Sequence, residues 1–444
     1  MEHVEKFLDL VSGYVWGIPL LVVLFGTHIF LTFRLGFIQK YTFKAIKLSF
    51  TKTKEGQGEI SHFGALVTAL AATIGTGNIV GVATAIAAGG PGAVLWMWLT
   101  GVFGIATKYA EAVLSVKYRV IGKDGTVAGG PMYVLERGMK SKWLGVLFAI
   151  FTAVAAFGIG NMVQANSIST MAKTTFNISP WITGAIMTVF TAVVILGGIK
   201  SIAKVCEYLV PLMAIFYVVG CVVLLIYKYE AIPETIKLIL SSAFTGQAAL
   251  GGFLGAGMKE AVRYGIARGL FSNESGLGSA PIVAAAAQTK HPVRQALVSS
   301  TGTFWDTVVV CAMTGIVLVN SGEWINGYKG AELTHAAFSQ VHYIGPVVLT
   351  VALLTFVFST ILGWSYYGEK AIEYLFGSRS IKPYRWLWVV AVMVGSVASL
   401  KAVWAFADIA NGMMAVPNLI SLLVLSPIVV KETKDYFSKE KNWK

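Results

Sequence analysis

Gly64-Ala-Leu-Val-Thr-Ala-Leu-Ala-Ala-Thr73-Ile-Gly-Thr-Gly-Asn78-Ile-Val-Gly-Val-Ala-Thr-Ala-Ile-Ala-Ala88 is apolar and long enough to span a bilayer. Near its middle stand two glycines one residue apart, Gly75 and Gly77, which lower helix propensity, and Asn78, whose amide needs partners in hydrocarbon. Unwound backbone survives at that depth only if it is buried in protein or lines a cavity. A break here aims the free amides of the second half-helix at mid-membrane, which favours an anion. The carbonyls freed from the first half favour a cation. Gly77 and Gly81 also have the Gly-x-x-x-Gly spacing of a helix-packing face, so on this stretch alone a packing face and a ligand site both stand.

The whole chain has the composition to match. Its 444 residues are 56% hydrophobic and 13% charged, with a mean hydropathy of +0.69, which is too apolar for a soluble globule. Cys206, Cys221 and Cys311 lie in apolar runs without metal or pairing spacing and read as small core residues. No cleavable signal is expected at the N-terminus, because the first apolar run is long enough to remain as a span.

Apolar windows predict an all-α polytopic membrane protein with about eleven spans, near residues 13–34, 62–89, 92–117, 143–171, 180–198, 205–228, 253–288, 293–319, 344–375, 384–408 and 410–431. Residues 231–249, with Pro233 near the start, read as a short surface helix. Alternate loops differ sharply in Lys and Arg: 24 basic residues fall on one side and six on the other, while Lys108, Lys259, Arg263, Arg268 and Lys370 lie within spans. That asymmetry predicts a cytoplasmic C-terminus and an outside N-terminus in a cell membrane. It also accounts for the net charge of +13 without nucleic acid.

Spans two to six and seven to eleven form two groups of five. Five being odd, the groups enter the membrane from opposite sides, as an inverted repeat requires. Each group opens with a glycine-interrupted span, the second reading Arg268-Gly-Leu-Phe-Ser272-Asn273-Glu274-Ser275-Gly276-Leu-Gly278-Ser279-Ala-Pro281 ahead of a helical run from Ile282 to Gln288. The expected organisation is an extra N-terminal span and loop (1–61), a first repeat (62–228), an extracellular connector (229–252), a second repeat (253–431) and a cytoplasmic tail (432–444).

Gly75-Thr-Gly-Asn78, Phe271-Ser-Asn-Glu-Ser-Gly-Leu-Gly-Ser-Ala280 and Gly160-Asn-Met-Val-Gln-Ala-Asn166 resemble the alanine or glycine:cation symporter family. So do Ala128-Gly-Gly-Pro-Met-Tyr133 and Gly363-Trp-Ser-Tyr-Tyr-Gly-Glu-Lys370. The resemblance covers nearly the whole chain. It implies sodium-driven transport of small neutral amino acids on the inverted-repeat fold shared with neurotransmitter:sodium symporters, with no cofactor beyond the coupling ion.

A zwitterionic substrate brings two charges into low dielectric, and both need partners. Its carboxylate suits the amides around Thr76, Gly77 and Asn78 beside Gly75, where the backbone can be approached closely. Its ammonium suits carbonyls near Phe271 and Ser272, followed by Asn273, and the side chain of Gln164. Asn161 shares a helical face with Gln164 at i,i+3. Interhelical hydrogen bonding is the other reading of these amides. Trp364 and Phe271 read as an apolar wall or as plain packing.

By analogy with related sodium-coupled transporters, the resemblance places a sodium ion among the carbonyls of Ala71 and Ile74 and the hydroxyls of Ser359 and Thr360. A second ion would lie near Thr73, Asn78 and the substrate carboxylate. Back-bonding of Ser359 and Thr360 to their own helix is the alternative. Glu274 is open to several roles: protonated, paired with Arg268 or Arg263, capping a half-helix, or acting in coupling. Asp306 and Asp408 are expected to be interfacial or paired. Proton-coupled or exchange transport on the same fold is the competing function. An enzyme lacks any nucleophile–base pair, phosphate loop or metal cluster among the spans.

Overall fold

Proline and glycine punctuate the chain into helices. Pro180, Pro233, Pro281 and Pro292 each stand in the first turn of a helix, where the missing N–H costs no hydrogen bond. The computed structural model describes residues 2–51, 56–122, 125–245, 257–398 and 401–440. Helix dominates. Six segments are long and apolar enough to cross a membrane: Leu10–Arg34, Lys142–Lys173, Gly198–Tyr227, Pro292–Ser321, Ile344–Phe376 and Ala407–Val424. Helix Ala93–Lys117, 25 residues long, carries the buried charges Lys108 and Glu111. Large apolar side chains such as Val193, Leu212 and Leu387 point outward from their helices, as a lipid-facing surface requires.

The glycine-interrupted stretch is broken where its residues demand it. Helix His62–Thr73 ends, Ile74 and Gly75 are extended, a short turn covers Thr76–Asn78, and helix Val80–Gly89 follows. The later interruption is broken too. Helix Met258–Asn273 ends in a left-handed Glu274 (φ 54°), followed by Gly276 and Gly278 at φ 88° and 90°, a conformation glycine adopts without a Cβ penalty. Helix Val80–Gly89 packs against Met258–Asn273, and His62–Thr73 against both Gly198–Tyr227 and Ile344–Phe376. The first unwound stretch therefore lies against the end of helix Met258–Asn273.

Several boundaries differ from the expected ones. The run after Pro281 is helical only to Ala284. Beyond it the chain lies beside residues 57–60, with Glu59 N donating to Ala286 O and Gln288 N to Ile60 O, each at 2.8 Å. Arg119 donates to the carbonyls of Ala285 and Ala287 (both 2.8 Å) and of Gln57 (2.7 Å), satisfying acceptors a helix would have used internally. In place of spans 384–408 and 410–431, the helices are Ile381–Val397, Lys401–Val424 and Ser426–Lys439. Ala398 is extended and Pro417 sits inside a helix without ending it, so hydropathy misplaced the division. Residues 246–256 of the connector and seventh window, and 399–400 of the tenth, lie outside the described residues. The surface helix is present as Ile232–Ser242. Two long helices also widen into π-helical turns, Ala156–Met162 and Phe304–Cys311, which periodicity gave no sign of.

Candidate functional site

The break releases two particular carbonyls. In an uninterrupted helix Ala71 O would accept from Gly75 N, but that amide donates to Asn78 Oδ1 at 2.8 Å. Ile74 O would accept from Asn78 N, which donates instead to Gly75 O. Both freed carbonyls face helix Ile344–Phe376. Ser359 Oγ lies 3.2 Å from Ala71 O and Thr360 Oγ1 lies 3.4 Å from Ile74 O. The same hydroxyls lie 2.8 and 2.9 Å from Phe356 O, so the back-bonded and the cross-helix arrangements coexist. Close backbone approach makes this possible: a Cβ on Gly363 would fall 2.6 Å from Ala72 N. The result is a cluster of five neutral oxygens, suited to a hard cation of low charge. Phe356 O, which sequence reasoning missed, is the fifth.

On the other side of the break, the amides of Thr76 and Gly77 donate to no group among the described residues. Thr76 and Gly77 line a small cavity of about 20 Å³ that also touches Thr73, Gly75, Gln164, Phe271, Glu274, Thr360, Trp364 and Asn411. A second cavity, of about 1020 Å³, shares Thr76, Gly77 and Phe271 with the first and runs outward past Arg268 to Glu332 and His335. Those last two residues are exposed, whereas Gly77 is buried. Phe271 thus stands between a wide vestibule and a narrow interior, with the Arg268 guanidinium 5.8 Å from its ring centroid.

Other candidates point elsewhere. Asn78 is consumed by structure: besides capping Gly75, its Nδ2 lies 2.7 Å from Asp306 Oδ1 and 3.2 Å from Asp306 O. Ser272 Oγ donates to Asp306 Oδ2 at 3.0 Å, as does Thr307 at 2.7 Å. Asp306 is therefore no interfacial residue. It is 1% exposed and ties the first unwound stretch to the last turn of helix Met258–Asn273. Asn273 accepts from the Ser275 amide at 2.9 Å. Asn161 donates to Trp388 O at 2.9 Å and, unlike Gln164, does not line the small cavity. Glu274 forms no ion pair with Arg263 or Arg268 among the described residues and accepts from Ser279 Oγ instead. Asp408 accepts from Ser12 Oγ at 3.0 Å.

Glu111 was also missed. From helix Ala93–Lys117 its Oε1 accepts from the amides of Gly276 (3.0 Å) and Gly278 (3.1 Å) and from Asn418 (2.7 Å), so one carboxylate holds the second unwound stretch at both of its left-handed glycines. An acid inside a transmembrane-length helix is the signal that marks such a residue in sequence.

The model of the sodium:alanine symporter family matches residues 1–444. The chain belongs to that family. An uncharacterized transporter of Haemophilus influenzae is 53% identical over 443 residues, covering 99% of this chain and 97% of that one. The sodium/alanine symporter AgcS of Methanococcus maripaludis is 52% identical over 448 residues, covering 98% of each. Among solved structures, MhsT in complex with L-phenylalanine aligns with a TM-score of 0.57 at 14% identity, over 86% of this chain and 99% of MhsT. At that identity the likeness speaks for the fold alone. This member of the sodium:alanine symporter family shares the fold of MhsT.

Proposed function

We propose that the protein is a sodium-coupled symporter of small neutral amino acids, alanine and glycine, working by alternating access across a cell membrane. One observation carries the reading. The two carbonyls that the break at Gly75 releases, Ala71 O and Ile74 O, are the two that meet the hydroxyls of Ser359 and Thr360. Sodium in that cluster is held by neutral oxygens alone. The substrate carboxylate takes the free amides of Thr76 and Gly77 on the opposite side of the same break, so ion and substrate order one segment together. Its ammonium turns toward Gln164 and the carbonyl end of helix Met258–Asn273 at Phe271 and Ser272. A second ion near Thr73 and Asn78 has less support, since the Asn78 side chain is already engaged.

In this reading spans two to six and seven to eleven are inverted repeats, and the large cavity opens to the outside, on the face poor in Lys and Arg. The pairing of residues 57–60 with 286–289, clamped by Arg119, closes the cytoplasmic face. Glu274, on the wall of the small cavity, acts in coupling through its contact with Ser279.

Two experiments test this. Sodium added at constant pH should raise alanine binding, whereas a proton-coupled or exchange permease would not respond. Substrate size should be limited by Trp364, which packs directly on Gly160 and lines the inner cavity. Alanine enters by displacing Phe271. Competition against labelled alanine uptake should therefore show glycine inhibiting strongly and leucine and phenylalanine weakly, and equal inhibition across the panel would speak against a tight pocket.

A further inference from the structure

Three buried amide side chains around the two unwound stretches are spent on the protein itself. Asn418 donates to Glu111 Oε1 at 2.7 Å and to Gly276 O at 2.9 Å, and Asn78 and Asn273 cap backbone amides. Asn411 differs. It is 2% exposed, its Oδ1 is buried without a partner among the described residues, and it lines the small cavity. It precedes Asn418 by seven residues on helix Lys401–Val424, two turns away on the same face. The face that fixes the second unwound stretch at Asn418 therefore presents an unused oxygen at Asn411. Gln164, which lines the same cavity, has the same character: its Nε2 donates to Ile159 O at 3.0 Å, while its Oε1 is buried and unpartnered among the described residues. Two orphaned amide oxygens on one small cavity are costly unless something with N–H groups fills it.

We propose that Asn411 is a specificity-determining residue that reads the substrate's primary ammonium. Asn411 Oδ1 and Gln164 Oε1 accept two of its three N–H groups. The third turns to the carbonyl end of helix Met258–Asn273. This inference rests on the small cavity being the substrate site, as proposed above. It has a chemical consequence that packing alone would not produce. A secondary ammonium has only two N–H groups, so an N-methyl substituent leaves one buried oxygen unpaired and presses a methyl group against it. The transporter should discriminate L-alanine from N-methyl-L-alanine, and Asn411 should be the source of much of that discrimination.

The test is calorimetric binding of both ligands, in saturating sodium, to the detergent-solubilised full chain. Wild-type protein should bind L-alanine at least about tenfold more tightly than N-methyl-L-alanine, the worth of one hydrogen bond to a charged group. Asn411→Leu should weaken L-alanine about tenfold or more and N-methyl-L-alanine far less, collapsing the ratio toward one. Asn411→Asp, which keeps an oxygen in place, should preserve the ratio. If the leucine variant does not fold, Asn411→Ala reports the same ratio. An unchanged ratio in the leucine or alanine variant overturns the assignment, as does equal weakening of both ligands. Gly77→Ala, measured alongside, separates the two levels of the account. If Asn411→Leu alone binds like wild type, only the role of Asn411 falls. If both variants bind like wild type, the site itself is misplaced.

Discussion

Gly77→Ala is expected to abolish alanine binding in a protein that stays folded and monodisperse in detergent. The backbone at Gly77 is not in the left-handed region, so alanine can adopt its conformation. A Cβ there would meet Ser272 Cα at 3.4 Å and the Phe271 ring at 3.5 Å, ordinary van der Waals contacts. Nothing in the free protein penalises the change. What the methyl group occupies is the space beside the free Gly77 amide, where the carboxylate should sit. Displacing the carboxylate should cost about 3 kcal/mol or more, the upper range for a group forced into a filled site. Size-exclusion chromatography and thermal unfolding report the fold, and calorimetry reports the ligand. Wild-type affinity in a well-behaved Gly77→Ala protein would mean that the glycine serves helix packing only.

Gly75→Ala should act on the ion first. A Cβ at Gly75 would lie 2.6 Å from Thr360 Oγ1, inside contact distance, so the hydroxyl must turn away from Ile74 O. One oxygen of the five is then lost from the cluster. The expected result is a rise of about tenfold or more in the sodium concentration needed for half-maximal binding, from the loss of one bond to a charged group and the added strain. Alanine affinity should fall with it, because coupling between two ligands is reciprocal. The two glycine variants therefore separate: at 77 substrate is lost directly, and at 75 it is lost through sodium. A sodium titration of alanine binding distinguishes them, since high sodium should partly rescue Gly75→Ala and should not rescue Gly77→Ala.

The central break was legible because Gly75, Gly77 and Asn78 are each a poor choice for a hydrocarbon-embedded helix, and standing together they weaken the same turn. Ser359 and Thr360 were legible through the resemblance, as adjacent hydroxyls on the helix expected to face that break. What escaped notice depends on relations that spacing does not encode. Periodicity assumes one helical pitch, so the π-helical turn at Ala156–Met162 left no trace in the pattern. The run after Pro281 is alanine-rich and helix-prone, yet it gives up its helix after Ala284 for backbone partners at 57–60 and for Arg119, more than 160 residues away in sequence. Asn411 lay in an apolar window like any other polar residue. Only its orphaned oxygen on a shared cavity distinguishes it.

The central claim is that carbonyls released by the break and the hydroxyls of Ser359 and Thr360 hold the ion that drives uptake. The most direct measurement is alanine binding by calorimetry across a sodium series, at constant ionic strength and pH, for wild type, Ser359→Ala and Thr360→Ala. The account predicts that wild-type alanine affinity rises with sodium. Each variant should need about tenfold or more sodium to reach the same affinity, while the affinity at saturating sodium stays close to wild type. Sodium dependence identical to wild type in both variants, at normal expression and with intact folding, would contradict it.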